Sequence, residues 1–395
     1  MGWIFLLLYF TAFYFYKIRD FFNPGMITCL SWCVVLIAYH LLNHPLYSLS
    51  SIFYPTIFFW CVAFVFGTEI SSSKRYKISK YVHPSNQISN QLLYLIVFFM
   101  LAFSVLMTFY EAHTMGLGVV GLTRNVNLSE KLVLPISLKI VLFFSSVLTP
   151  VVLLVLIEKF SRYKKAIVIV LFMLLIVLSG SKSSVFGFFS AIIFLLFYKK
   201  RIKLLTIVFM AFCALLLMIV ITLFRDKNAE TDFFKIVYIY FLSPLTAFDY
   251  LLQGRIVPNE TPVASTVLGL IYRIFNKMGV CQIPSANLGF IFVPLPTNVY
   301  TLLLTGYLDF GYYGMFVFSF FYGVIWGWLY SFVRQNFLFA KLLYASFYFV
   351  LIFQFFADFV FPYLVIFIYQ ILFSLLFFVR IKRPYMFRLS NKRTA

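Results

Sequence analysis

Acidic residues are scarce in this 395-residue chain: 12 Asp and Glu stand against 32 Lys and Arg, and charged residues of all kinds make up only 11%. A water-soluble domain keeps about a quarter of its residues charged, so soluble enzyme classes are excluded. Cysteine (5) and histidine (4) are also sparse. Cys29, Cys33, Cys61 and Cys213 lie inside apolar runs, where a thiol behaves as a small hydrophobe. Cys281 alone falls in a loop, which excludes a loop disulfide. His40 and His44 are spaced i, i+4 with no third ligand near them, which argues against a structural metal site. The first apolar run, GWIFLLL, has no basic residue ahead of it, and Lys17 and Arg19 follow it. No cleavable signal peptide is therefore expected.

What is present in quantity is apolar and aromatic: 63% hydrophobic residues, 22% aromatic, and a mean hydropathy of +0.98. The apolar residues come in blocks, and a helix needs roughly 20 of them to cross a bilayer. On that measure the fold class is all-α and polytopic, a single integral membrane domain over 1–395 with about eleven (10–12) transmembrane helices. The runs fall near 2–16, 24–42, 52–70, 91–110, 138–157, 166–180, 184–198, 204–224, 311–330, 340–357 and 361–379. The stretch 233–253 is interrupted by Ser243-Pro244, so it reads as two short interfacial or re-entrant helices.

The formal net charge of +20 raises the question of nucleic acid. The basic residues, however, cluster in short loops (74–80, 159–165, 199–203) and in a tail at 380–395, as topology-setting charges do. Roughly two thirds of the 32 basic residues fall in one alternating set of loops, which the positive-inside rule makes cytoplasmic. The N-terminus then faces out and the C-terminus in. Asp20, Glu69 and Glu158 fall inside, while Glu111, Asp249, Asp309, Asp358 and the other acids fall at the outer face. That face, mixing charges of both signs with aromatic and turn residues, has the composition of a site.

Two long outer loops follow from this arrangement, about 111–137 and 225–302. In the first, glycines 116, 118 and 121 precede Arg124, whose planar fork suits either a phosphate ligand or a lipid headgroup. Glu111 and His113 read as an acid/base pair or as a solvated helix end. In the second, Arg225 closes a helix, and 265–279 forms an amphipathic helix with Val267, Leu270, Ile271, Ile274 and Phe275 on one face and Arg273 on the other, suited to the outer interface. A tight turn, LSGSKSS at 178–184, sets Lys182 among serines. It reads as an oxyanion-binding turn or as a hairpin whose lysine snorkels. The segment 294–314, PLPTNVYTLLLTGYLDFGYYG, concentrates Asn298, Tyr300, Thr301, Tyr307 and Asp309 at the start of a hydrophobic helix. Asp309 there is either a working carboxylate or a passive helix-start acid.

Together the Ser/Gly turn around Lys182, the long outer loop, the PTNVYT element at 296–301, the 307–314 stretch and Gly323 resemble the Wzy-type O-antigen polymerases. The resemblance implies a GT-C-like membrane glycosyltransferase of the bacterial inner membrane. It would join undecaprenyl-pyrophosphate-linked oligosaccharide units at the outer face, working without a metal or cofactor. It further implies pyrophosphate stabilisation by Arg124, Lys182, Arg225 and Arg273, proton transfer by Asp309, Glu111 or His113 (Asp249 being also available), and glycan contacts from Asn298, Tyr300, Thr301 and Tyr307. Membrane lipids, a chain-length regulator and a flippase are the implied partners; nucleic acid is not. An O-antigen ligase would share donor and topology. A flippase would instead call for mid-helix charges and a repeat of halves.

Overall fold

The computed structural model describes residues 2–73, 90–116, 135–179, 182–198, 203–225, 235, 237–256, 264–281 and 288–378. The chain is all-α, with one two-residue antiparallel ribbon pairing Ile291–Phe292 with Pro296–Thr297. The apolar runs form α1 (Gly2–Ile18), α2 (Pro24–Leu41), α3 (Phe53–Ser72), α4 (Asn90–Thr114), α5 (Ile136–Val147), α6 (Thr149–Ile157), α7 (Arg162–Ser179), α8 (Lys182–Tyr198) and α9 (Leu204–Arg225). The C-terminal half adds α10 (Ser243–Leu252), α11 (Gly269–Lys277), α12 (Leu303–Arg334), α13 (Leu338–Ile352) and α14 (Leu364–Leu375). Among the described residues, α2, α3, α4 and α12 are long and apolar enough to cross a membrane, and α5 with α6, bent by 49°, makes a fifth if counted as one span. The protein is thus a multi-pass membrane protein.

Local chemistry explains the helix ends and keeps polar groups satisfied where no water reaches. Asn23 caps α2 by accepting from Gly25 N (2.8 Å) and Met26 N (3.3 Å), and Pro24 occupies the first turn, where its missing N–H is not needed. Pro150 opens α6 in the same way, directly after the bend. Within the helices, Thr11, Thr56, Ser104, Thr108 and Ser346 each donate to the carbonyl one turn back. Such back-bonding disposes of a hydroxyl that hydrocarbon would otherwise strand.

The closest helix pair is α3 with α12. A Cβ on Gly67 would lie 2.0 Å from the Phe320 carbonyl oxygen, one on Gly323 2.2 Å from that of Phe64, and one on Gly327 2.4 Å from that of Thr68. Gly323 and Gly327 form a GxxxG pair, the spacing that lets two membrane helices meet backbone to backbone. Ser319 Oγ donates to the Trp60 carbonyl (2.8 Å) and Thr68 Oγ1 to that of Gly323 (3.3 Å), tying the pair further. Between α2, α3 and α13, the buried amide of Gln354 receives Trp60 Nε1 (3.1 Å) and donates to Thr28 Oγ1 (2.9 Å).

Four details differ from the sequence reading. α12 starts at Leu303, and Gly311 (φ 69°) breaks it, so 303–310 is a separate helical tip folded against Met315 and Phe318, both within contact of Gly306. A positive φ at that point favours glycine. The helix expected over 340–357 ends at Ile352, and the next starts at Leu364, because Asp358 turns the intervening chain by accepting from Val360 N and Phe361 N. Over 233–253, a π-helical turn (Tyr238–Leu242) leads into α10, whose first turn contains Pro244. α11 covers only Gly269–Lys277 and has no buried residue; Ile271, Ile274 and Phe275 are exposed.

Candidate functional site

Asp309, on the helical tip ahead of the Gly311 kink, is buried. Its carboxylate accepts from Thr266 N at 2.9 and 3.0 Å and from Val267 N at 2.7 Å. Charge-assisted bonds of this kind are the strong ones. Asp309 therefore anchors the turn that enters α11 onto the tip of α12. Two segments far apart in sequence are joined by one side chain.

The same tip is tied to the α13–α14 connection. Thr305 Oγ1 donates to Asp358 Oδ2 (2.6 Å), and Leu302 N donates to the Gln354 carbonyl (2.8 Å). Burial pushes the Asp358 carboxyl up to about 6; the neighbouring Asp309 adds to the rise, and the bonds from Thr305, Val360 and Phe361 oppose it. The PTNVYT element runs directly into the first of these anchors, Leu302. Tyr300 and Thr301 are buried, and neither the Tyr300 hydroxyl nor Thr301 Oγ1 has a hydrogen-bond partner; Ser265 Oγ and Thr266 Oγ1, in the segment held by Asp309, are orphaned too. Leaving such a group unmet costs about 1–3 kcal/mol. Burial also raises the Tyr300 phenol above its ordinary range. Asn298 is exposed, and Tyr307 packs edge-on against Phe248 of α10, with centroids 6.1 Å apart.

α10 is held by a second carboxylate. Asp249 is fully buried and accepts from Ser50 N (2.8 Å), Ser50 Oγ and Gln253 Nε2 (2.7 Å). Tyr39 OH meets Thr246 Oγ1 at 2.9 Å. Beside them Tyr47 stacks on Tyr250 at 5.7 Å, and the Arg255 guanidinium sits 4.7 Å from the Tyr250 ring centre.

A cavity of about 200 Å³ lies on the other side of the α13–α14 connection. Ser145, Ser146 and Thr149 line it from the α5–α6 bend, Ser183 and Ser184 from the start of α8, Ser346 from α13, and Tyr363 and Gln370 from α14 and its approach. Ser145, Ser146 and Ser346 already donate to carbonyls of their own helices, and Gln370 Oε1 is buried and unpartnered, so the lining offers chiefly acceptors.

The remaining sequence candidates are dispersed. Glu111 is buried and accepts from Ser137 Oγ, whereas His113, two residues on, is exposed. Arg273 is exposed on α11. Lys182 opens α8 and Arg225 closes α9; their side chains, and the whole of Arg124, lie outside the described residues. Sequence reasoning passed over Thr305, Gln354 and Gln370, and counted Asp358 among the outer-face acids without giving it a role. A signal existed for the two glutamines, each a polar residue inside an apolar run and so expensive without a partner. Among the described residues, no three His, Cys, Asp or Glu side chains come together in a metal-binding group. No protein-family model, curated protein or solved structure matches the chain.

Proposed function

We propose that this protein is a Wzy-type O-antigen polymerase. It has about eleven spans, its N-terminus outside and its C-terminus in the cytoplasm, and it joins undecaprenyl-pyrophosphate-linked repeat units at the outer face of the bacterial inner membrane. The observation that carries the reading is the pair of buried, unpartnered hydroxyls of Tyr300 and Thr301 in the PTNVYT element. Buried polar atoms are nearly always satisfied, and a sugar, with a hydroxyl on most of its carbons, is a ligand able to satisfy these. Transfer from a lipid pyrophosphate also needs positive charge or donors for a leaving oxyanion. Lys182, Arg124, Arg225 and Arg273 are the cations available for that task in this reading.

Asp309, with both oxygens on backbone N–H groups, holds the site together in this reading. Taking a proton from the acceptor hydroxyl is left to Glu111, His113 or Asp358. Deletion of the gene tests the function: lipopolysaccharide capped with a single repeat unit is the result expected of a polymerase. Loss of all attached O-antigen would point instead to a ligase or flippase.

A further inference from the structure

The stretch of α12 from Tyr312 to Arg334, at about 1.5 Å per residue, is long enough to fill a hydrocarbon core ~30 Å thick. Tyr313, Val317, Phe321, Ile325 and Trp328 are exposed along one side of it, at the three- and four-residue spacing of a single helix face. In a membrane-spanning helix that face meets lipid. The Gly311 kink therefore marks one edge of the core, and Asp309 stands just beyond it.

Asp309 in turn fixes the depth of α11. It accepts from Thr266 N and Val267 N, so the helix that opens at Gly269 starts at the membrane boundary. Leu268, Ile271, Ile274, Phe275 and Met278 are exposed on one side of this helix and its flanking residues, and Gly269, Arg273 and Lys277 fall on the other. The segment 264–281 contains no acid. A short helix that is apolar on one face and cationic on the other, held at this depth, lies in the plane of the interface. Its cations match the anionic headgroups found there, and lipid already covers the adjoining face of α12.

We propose that 264–281 is an arm that docks on the leaflet at this end of α12 and binds anionic phospholipid. The apolar face of α11 sits among acyl chains, and Arg273 and Lys277 take headgroup phosphates. Because Asp309 joins the arm to the α12 tip, docking steadies the tip and the PTNVYT element that runs into it. The inference stands apart from the polymerase reading: Arg273, counted there among the cations for a pyrophosphate, here meets a phospholipid.

The test uses the full chain in nanodiscs free of polyprenyl lipid, made of phosphatidylcholine with or without phosphatidylglycerol. Cys213→Ser and Cys281→Ser leave only the buried thiols of Cys29, Cys33 and Cys61, and spin labels are placed by Ile274→Cys, Met278→Cys or Gly269→Cys, one at a time. With phosphatidylglycerol present, collisions with oxygen are expected to exceed those with a water-soluble nickel chelate at least tenfold at 274 and 278, and to fall below them at 269. Omitting phosphatidylglycerol, or combining Arg273→Gln with Lys277→Gln, is expected to raise nickel access at 274 severalfold and to speed amide exchange over 300–310 severalfold. Equal nickel access at 274 and 269 overturns the docking. Access and exchange that ignore both phosphatidylglycerol and the double variant overturn the headgroup role. Spin–spin broadening at 274 that appears only with two copies per disc gives the face to a second copy and overturns the proposal as well.

Discussion

Asp20, Glu69, Glu111, Asp249, Asp309 and Asp358 each accept hydrogen bonds from hydroxyl, amide or backbone donors. In so acid-poor a chain, the described carboxylates work as rivets between segments. Asp309 is the clearest case. Asp309→Asn replaces one acceptor oxygen by a donor that faces Thr266 N or Val267 N, a loss of about 2 kcal/mol. Amide exchange over 264–281 is then expected to rise roughly 30-fold, measured by mass spectrometry, with exchange in α3 unchanged. Unaltered exchange in that segment would remove the anchoring role. Asp358 gives a pH signature. Its folded-state carboxyl titrates at about 6, against about 3.9 in an unfolded chain, so the folded protein binds the proton more tightly. Its contribution to stability is present below about pH 4 and is lost as pH rises through 6. Asp358→Asn is expected to raise the melting temperature at pH 7 and to match the wild type near pH 4, followed by thermal unfolding in detergent. The sequence flagged Asp309 but not what it holds, because its partners are backbone groups more than forty positions away.

The elements were largely legible. Each apolar run lies on a helix, because hydrocarbon leaves the backbone no partner but itself. Less legible were the breaks: the Gly311 kink, the α5–α6 bend and the early end of α13 depend on local turns inside or beside apolar sequence, where composition does not change. The α3–α12 seam could be sensed from Gly323 and Gly327, though not its partner helix. Gly323→Ala places a methyl group 2.2 Å from the Phe64 carbonyl oxygen, an overpacking that costs about 1–3 kcal/mol. A lower melting temperature and weaker cross-linking between cysteines placed on α3 and α12 are expected. Gly269→Ala, with nothing within 4 Å, is the control and is expected to be neutral or mildly stabilising.

At the scale of the whole molecule, tertiary contact brings 265–267, 300–309 and 354–361 to one place and sets the serine-lined cavity beyond the last of them. The sequence placed Tyr300, Thr301 and the serines around Lys182 on the outer face separately. Which of them share a neighbourhood follows from packing through Gln354, Asp358 and the α13–α14 connection, none of which carries a local motif. The central claim is that this arrangement extends a lipid-linked glycan. It is tested most directly by supplying purified protein in liposomes with a defined undecaprenyl-pyrophosphate-linked repeat unit and resolving the products by size. The account predicts a ladder spaced by one repeat unit, much reduced for Tyr300→Phe combined with Thr301→Val. Units that cross the bilayer unextended, or that pass only to a lipid A acceptor, would contradict it.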